Sequence, residues 1–376
     1  MESWDVMREK RNCHSCGSII YYDGLCWKCK EKQKYEDCMS MSKSAIAVKI
    51  ADIVKRIEEL PDDRDYSSEV DAIVDFQMLL AYQDINTEKI AKAAYENKLY
   101  SPYSIYRNAS PDVRDGLIAE LLKPDCDEAG NIQACLAQIG DKMVQAVFIK
   151  LEESPLPWRE NLYVNPSVYA EAGGWSFDES GNQTLVHETC YALNDNAKSS
   201  DKAVSIGEKR DEYCSVCGCQ MMDILTLDGR DERLAFLGIN GLLKIPICPW
   251  CCCFTDDNVI RYQLDGISTY TGNIAPCFKE NKMRAEDIDK MTKNTYVLDG
   301  EPTNAFRSHG EFSVPTIGGM PNWIQDWIYL NCPDCGKKMT YIMSIPWDCI
   351  ADGFEGTLYI EICIDCQVAR VFHQQT

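Results

Sequence analysis

An α+β fold, helical early in the chain and mostly β later, is predicted by three features of this 376-residue sequence. Twelve of its 21 cysteines fall into C-x-x-C pairs that group as three sets of four. Apolar residues recur at helical spacing through residues 42–153. Beyond residue 154, short alternating or aromatic runs and frequent glycine carry the signature of strands and turns.

The cysteine sets come first because they fix the architecture. Cys13, Cys16, Cys26 and Cys29 form one, Cys214, Cys217, Cys248 and Cys251 the next, and Cys332, Cys335, Cys363 and Cys366 the last. Cysteines spaced C-x-x-C sit on a tight knuckle that aims both sulfurs at one tetrahedral Zn²⁺, and two knuckles complete the shell. A disulfide framework suits small secreted chains, whereas a chain of this length buries a core without staples. Three structural zinc ions are therefore expected. A four-sulfur shell is closed, so the metal holds structure, and the sequence assigns no catalytic residue. In the second set Cys253 is an alternative to Cys251, since C-x₄-C can also close a shell. Most of the nine remaining cysteines read as buried apolar fillers.

Residues 1–40 read as a zinc ribbon, with a short apolar hairpin (Ile19, Ile20, Tyr21) between its knuckles and His14 as a solvent-facing spacer. Residues 41–153 read as a helical-repeat-like α module. Ile46, Ile50, Ile53, Ile57 and Leu60 form one stripe, stopped by Pro61. Val70 to Leu80 marks a second helix and Thr87 to Tyr95 a third. Ser110 is an N-cap with Pro111 behind it, opening a fourth that ends before Pro124. Ile132 to Leu151 holds a fifth, broken at Gly140-Asp141. The charged segments 198–212 and 279–294 read as surface. Residues 154–376 form the β-rich domain, which contains a duplication at about 210–256 and 328–370. Cys214-Ser215-Val216-Cys217-Gly218 is followed by Met221, Ile224 and Leu225. Cys332-Pro333-Asp334-Cys335-Gly336 is followed at the same offsets by Met339, Ile342 and Met343. Each unit closes on a second pair preceded by an apolar strand, so the region reads as two related zinc-pinned units.

The formal net charge is −21. Twelve bound thiolates add −12 and three Zn²⁺ add +6, taking the loaded protein to about −27. Such a field repels phosphate backbones and steers basic proteins inward, so a basic protein partner is expected and nucleic acid is not. No run approaches the roughly 18 apolar residues of a membrane span, and the N-terminus has no secretory pattern. Thiol-rich and without an export signal, the chain is expected in the cytoplasm, with no membrane partner. Four histidines leave few catalytic options: His187 and Cys190 are three residues apart, but on a strand they point to opposite faces. No nucleophile elbow, phosphate loop or dinucleotide fingerprint is present. Gly318-Gly319-Met320-Pro321-Asn322-Trp323-Ile324-Gln325-Asp326-Trp327 reads as a close glycine turn, with Trp323 and Trp327 packing into the core beside the third zinc site. Acidic patches such as Glu58-Glu59, Asp62-Asp63, Asp65 and Asp125-Asp127-Glu128 are solvated faces or docking charges.

Four segments resemble a group of bacterial cytoplasmic proteins related to the YwqG-like family, over about residues 135–376. They are Gln138-Ile139-Gly140-Asp141; Pro157-Trp158-Arg159 through Tyr169–Trp175; His187 to Leu193; and Gly318 to Asp326 with Cys332-Pro333-Asp334-Cys335-Gly336 and the closing Gln374-Gln375-Thr376. The G-G-x-P-x-W-I-Q motif joined to C-P-x-C-G is the most specific part. The resemblance implies a partner-binding or immunity protein of a bacterial toxin system. The function expected is thus a non-enzymatic, zinc-stabilised acidic protein that neutralises a toxin by blocking its active or target-binding surface. The alternatives are a hydrolase reversing a toxin's modification and a zinc-ribbon adaptor in another intracellular complex.

Overall fold

The computed structural model describes residues 10–60, 72–178, 181–196, 201–255, 258–272, 283–293, 295–351 and 354–375. Outside them lie Pro61, Asp62, Asp63 and Asp65, the expected helix start at Val70, Cys277, Thr376 and parts of the two charged segments.

The N-terminal hairpin pairs β1 (Arg11–Asn12) with β2 (Ile19–Ile20). The sequence reading places helices only from residue 41 on; within the ribbon the chain already runs from Cys26, in the N-cap position, into the 13-residue helix α1 (Trp27–Met39). Its lysines and glutamates carry no apolar stripe, so no periodicity announced it. Its order comes from docking: Cys38 is buried, and Tyr35 packs edge-on to Tyr82 at 4.9 Å.

The following helices obey their local signals. In α2 (Lys43–Lys55) the Ala45 N–H donates to Ser42 Oγ. Next come α3 (Ala72–Tyr82), α4 (Glu88–Glu96) and α5 (Pro111–Leu121), the last capped by Ser110 with proline at its first turn. The expected fifth helix is two, α6 (Ala129–Ile139) and α7 (Lys142–Glu153). Gly140 takes a left-handed cap at φ +58°, and Asp141 Oδ1 accepts from the N–H groups of Met143 and Val144, both at 3.0 Å. One short helix, α8 (Pro166–Tyr169), leads into the β region.

That region holds β3 (Trp175–Asp178), β4 (Gly181–Thr184), β5 (Cys190–Asp195), β6 (Val204–Ser205), β7 (Glu208–Tyr213), β8 (Gln220–Asp228), β9 (Leu242–Ile247), β10 (Asn258–Tyr262), β11 (Ser268–Tyr270) and α9 (Ala285–Met291). It continues with β12 (Tyr296–Leu298), β13 (Thr316–Gly318), β14 (Thr340–Pro346), β15 (Thr357–Cys363) and β16 (Val368–Gln374). Eight strands form an antiparallel sheet in the order β11-β10-β16-β15-β14-β13-β5-β12. A four-stranded sheet is built around β8, with β6 and β7 on one edge and β9 on the other.

Strand alternation sorts the layers. Leu358, Ile360 and Ile362 of β15 join Leu225, Leu243 and Ile245 of the small sheet in one core. On the opposite face Tyr341, Tyr359 and Phe372 join Phe76, Leu79 and Phe148 of the helices in the second. The order of layers is therefore helices, large sheet, small sheet. Every residue of β15 is buried because both faces are covered.

Helices α1 and α3 and the β region meet at Arg307, only 2% exposed. Its guanidinium lies 5.1 Å from the Tyr35 ring, 5.2 Å from Tyr82 and 5.6 Å from Phe312, and donates to the Phe312 carbonyl at 2.9 Å. Rings from α1, α3 and the β region thus share one desolvated cation. Beside this junction Lys34 pairs with Glu311 at 2.9 Å, and Lys28 donates to the Asp348 carbonyl.

Half-buried Glu31 of α1 is pushed up to about 7, first by burial and then by the Glu311 and Asp348 charges, against Lys34 and Lys28. Because its folded value lies above the usual 4.5, its contribution to stability is present below about pH 4.5 and lost as pH rises through about 7. Thermal melts should accordingly show a fall in stability across that window, and Glu31→Gln should flatten it. An unchanged profile in the variant would remove Glu31 as the cause.

Candidate functional site

The first knuckle of all three cysteine sets is one structure repeated. In each, the first cysteine's N–H donates to the carbonyl five residues on: Cys13 to Ser18, Cys214 to Cys219 and Cys332 to Lys337, all at 2.8 Å. The glycine after the second cysteine donates back to the first, from Gly17, Gly218 and Gly336. Those glycines have φ of +75°, +71° and +74°, a turn that only glycine adopts readily. Outside each turn the same strand pair closes the loop: Asn12↔Ile19, Tyr213↔Gln220 and Asn331↔Lys338.

The two C-terminal sets share more than a knuckle. Pairings run from Met222↔Ile247 to Asp228↔Leu242 in β8 and β9, and from Thr340↔Ile362 to Pro346↔Thr357 in β14 and β15. Counted from Cys214 and Cys332 on the first strand, and back from Cys248 and Cys363 on the second, these are the same registers. The loop between strands is three residues longer in the first unit, and each ladder slips at the same place, skipping Ile224 in one and Ile342 in the other. The duplication is thus preserved residue for residue along the paired strands although the hairpins lie in different sheets.

Within each set the four sulfurs lie within 4.8 Å of one another. Individual Sγ–Sγ separations are 3.6 Å for Cys16–Cys26, 3.9 Å for Cys214–Cys251, 3.4 Å for Cys217–Cys248 and 3.8 Å for Cys335–Cys363. A disulfide would bring sulfurs to about 2.05 Å. Tetrahedral bonds of about 2.3 Å to a central ion put sulfurs about 3.8 Å apart, which these sets match. Cys251, rather than Cys253, completes the second.

Electrostatics also ask for a cation. Backbone N–H groups of Cys16 and Cys26 pull Cys13 down to about 5, a hydrogen bond from Cys248 pulls Cys214 to about 5, and the Lys337 N–H lowers Cys335. Their neighbours go the other way: burial raises Cys26 and Cys363, and burial with Cys217 raises Cys251. Hydrogen bonds favour thiolate at some sulfurs of each set while burial and neighbouring sulfurs oppose it at others, so a shell of four thiolates needs positive charge between them.

Six of the remaining cysteines are inert by placement. Cys38, Cys126, Cys135, Cys190, Cys219 and Cys252 are buried, and burial pushes Cys190 up to about 12. The His187 ring packs edge-on to Phe236 at 5.4 Å, as a core aromatic would.

A cleft opens where the helices meet the large sheet. One chamber of about 630 Å³ is lined by Gln77, Tyr103 and Gln138 of the helical part and by Asn322, Asp326 and Trp327 of the glycine motif, among others. A second, of about 730 Å³, adjoins it at Leu80 and Phe306 and carries the Arg107–Glu188 ion pair. Sequence reasoning put both motif tryptophans in the core. Trp323 does pack there, against Tyr329, Tyr341, Tyr359 and Phe372. Trp327 is instead half-buried, facing Tyr103 at 6.2 Å and Tyr169 at 6.0 Å. Tyr103 and Gln77 went unnoticed because nothing in their local pattern shows which strand loop they will face.

The motif loop is held firmly for an irregular segment. Tyr359 Oη donates to the Asn322 carbonyl and accepts from Ile324 N–H; Gln374 accepts from Gln325 N–H and donates to the Asp326 carbonyl. Gly318 and Gly319 have φ of +68° and +76°, and a Cβ on Gly319 would lie 2.5 Å from the Ala305 carbonyl oxygen.

No protein-family model matches the chain, and no solved structure matches it. It is 27% identical over 298 residues to a protein of Salmonella typhimurium strain LT2 named "Uncharacterized protein YpfL", an alignment covering 75% of this chain. The chain spans 66% of that relative's length, just under two thirds.

Two outcomes follow from this geometry. All four sulfurs of the second set are buried, whereas Cys16 and Cys335 are exposed. A chelator should therefore strip two ions quickly and the third slowly, and Cys217→Ser should remove the slow phase alone; three equal rates would contradict it. Gly319→Ala should destabilise the fold by more than the roughly 1–2 kcal/mol of a left-handed non-glycine residue, as read by urea unfolding.

Proposed function

We propose that this chain is a zinc-assembled, non-enzymatic binding protein that captures a basic protein partner. We further propose that the partner is a bacterial toxin whose active or target-binding surface it occludes. The observation that carries the reading is a formal charge of −21 combined with a seam cleft whose motif-lined chamber has no lysine or arginine among its described lining residues. Zinc is the metal best suited to three closed all-thiolate tetrahedral shells. Twenty cysteines are unpaired among the described residues, which suits a reducing cytoplasm. No helix of the described residues is long and apolar enough to cross a membrane. Kinship with YwqG-like proteins is part of the proposal and rests on the Gly318–Gln325 motif joined to the Cys332–Gly336 knuckle.

Chemistry by side chains is poorly supported. Burial holds Cys190 near 12, and it lowers His309 to about 4. Such groups neither attack nor shuttle protons readily at neutral pH.

Growth of cells expressing a candidate basic toxin should recover in proportion to the dose of this chain, reaching full protection at one chain per toxin. Protection at a small fraction of that ratio would mean catalytic reversal and sink the blocking reading. Association of the purified pair should slow steeply as salt is raised, because steering by a net-acidic field is screened beyond a Debye length of about 10 Å at 0.1 M.

A further inference from the structure

The chamber beneath the glycine motif has a chemistry of its own. Its volume of about 630 Å³ falls within the roughly 300–1,000 Å³ typical of small-ligand sites. Its only described titratable side chains other than Tyr103 are Asp326 and His309, and burial keeps that histidine neutral at physiological pH. Trp327 of the β region and Tyr103 of the helical part meet edge-on, with 6.2 Å between ring centroids, and together supply one aromatic wall. Gln77, Gln138, Asn322 and Gln325 add amide oxygens, and Gln138 Oε1 has no partner, its Nε2 being committed to the Ala172 carbonyl. The clamps from Tyr359 and Gln374 hold this wall in place before anything binds.

Acceptors, ring faces and a carboxylate with no counter-charge in the lining describe a receptor for a cation. An anionic ligand would find no lysine or arginine among the described lining residues. We propose that this chamber takes one cationic side chain, a guanidinium or ammonium on an aliphatic stem, presented by the basic partner. The stem lies along Trp327 and Tyr103 while the charged head meets Asp326 and the amide oxygens. This inference rests on the basic-partner reading above and adds to it the point of recognition.

Calorimetric titration of the zinc-loaded full chain tests it, with nona-arginine, nona-citrulline and agmatine as probes. Nona-arginine should bind, and nona-citrulline, its uncharged isostere, should bind at least about tenfold more weakly. Asp326→Asn and Trp327→Ala should each weaken nona-arginine at least about tenfold, roughly the size of one desolvated cation contact. Trp327→Phe, which keeps a ring, should retain most of the affinity and guards against a folding defect in the alanine variant. Glu153→Gln removes one exposed charge outside the chamber and should change affinity by less than about twofold. Equal binding of the citrulline peptide would overturn the proposal. Salt-sensitive nona-arginine binding indifferent to both chamber variants would overturn it too, while leaving the acidic binding protein intact. Agmatine binding as tightly as the peptide would assign the chamber to a free amine and remove the partner's side chain from it.

Discussion

Four thiolates cannot share a space of a few ångströms without a cation among them, and the architecture is built around that constraint three times. Hydrogen bonds lower Cys13, Cys214 and Cys335, while burial raises Cys26, Cys251 and Cys363 of the same sets. The consequences reach well beyond the sites. Cys26 and Cys29 fix the start of α1, a helix with no apolar stripe of its own. Cys363 ends the central strand β15 of the large sheet, and Cys248 lies just beyond β9 of the small one. An ion held by these cysteine groups would be coupled to the registration of both sheets and to the presentation of the N-terminal helix.

A second cation performs a similar service without sulfur. Arg307 is buried among Tyr35, Tyr82 and Phe312, so α1, α3 and the β region close around it. Its guanidinium is less strongly hydrated than an ammonium and can stack on rings, which makes such burial tolerable. Along the same seam of helices and sheet lies the chamber lined by Tyr103 and Trp327. The proposed function thus depends on a surface that belongs to neither half alone.

Much of this was legible in the order of residues. Ser110-Pro111 and Gly140-Asp141 marked a helix start and a helix break because capping is satisfied within a few residues. The knuckle repeat was legible for the same reason. What escaped was α1, whose alternating charges carry no periodic signal, and the outward face of Trp327. A tryptophan two residues from glutamine in an apolar loop reads as core; here the loop turns after Trp323, so the two rings part company.

The sequence by itself determined the three ligand sets, the duplicated hairpins and the acidic charge, because thiol spacing, strand alternation and net charge are properties of neighbouring residues or of simple sums. Only the tertiary structure decided which helices cover the large sheet, where Arg307 is enclosed, and that Tyr103 meets Trp327 edge-on in the lining of a chamber rich in acceptors. Those contacts join residues far apart along the chain. They are selected by how three layers pack together, and no local pattern records that choice.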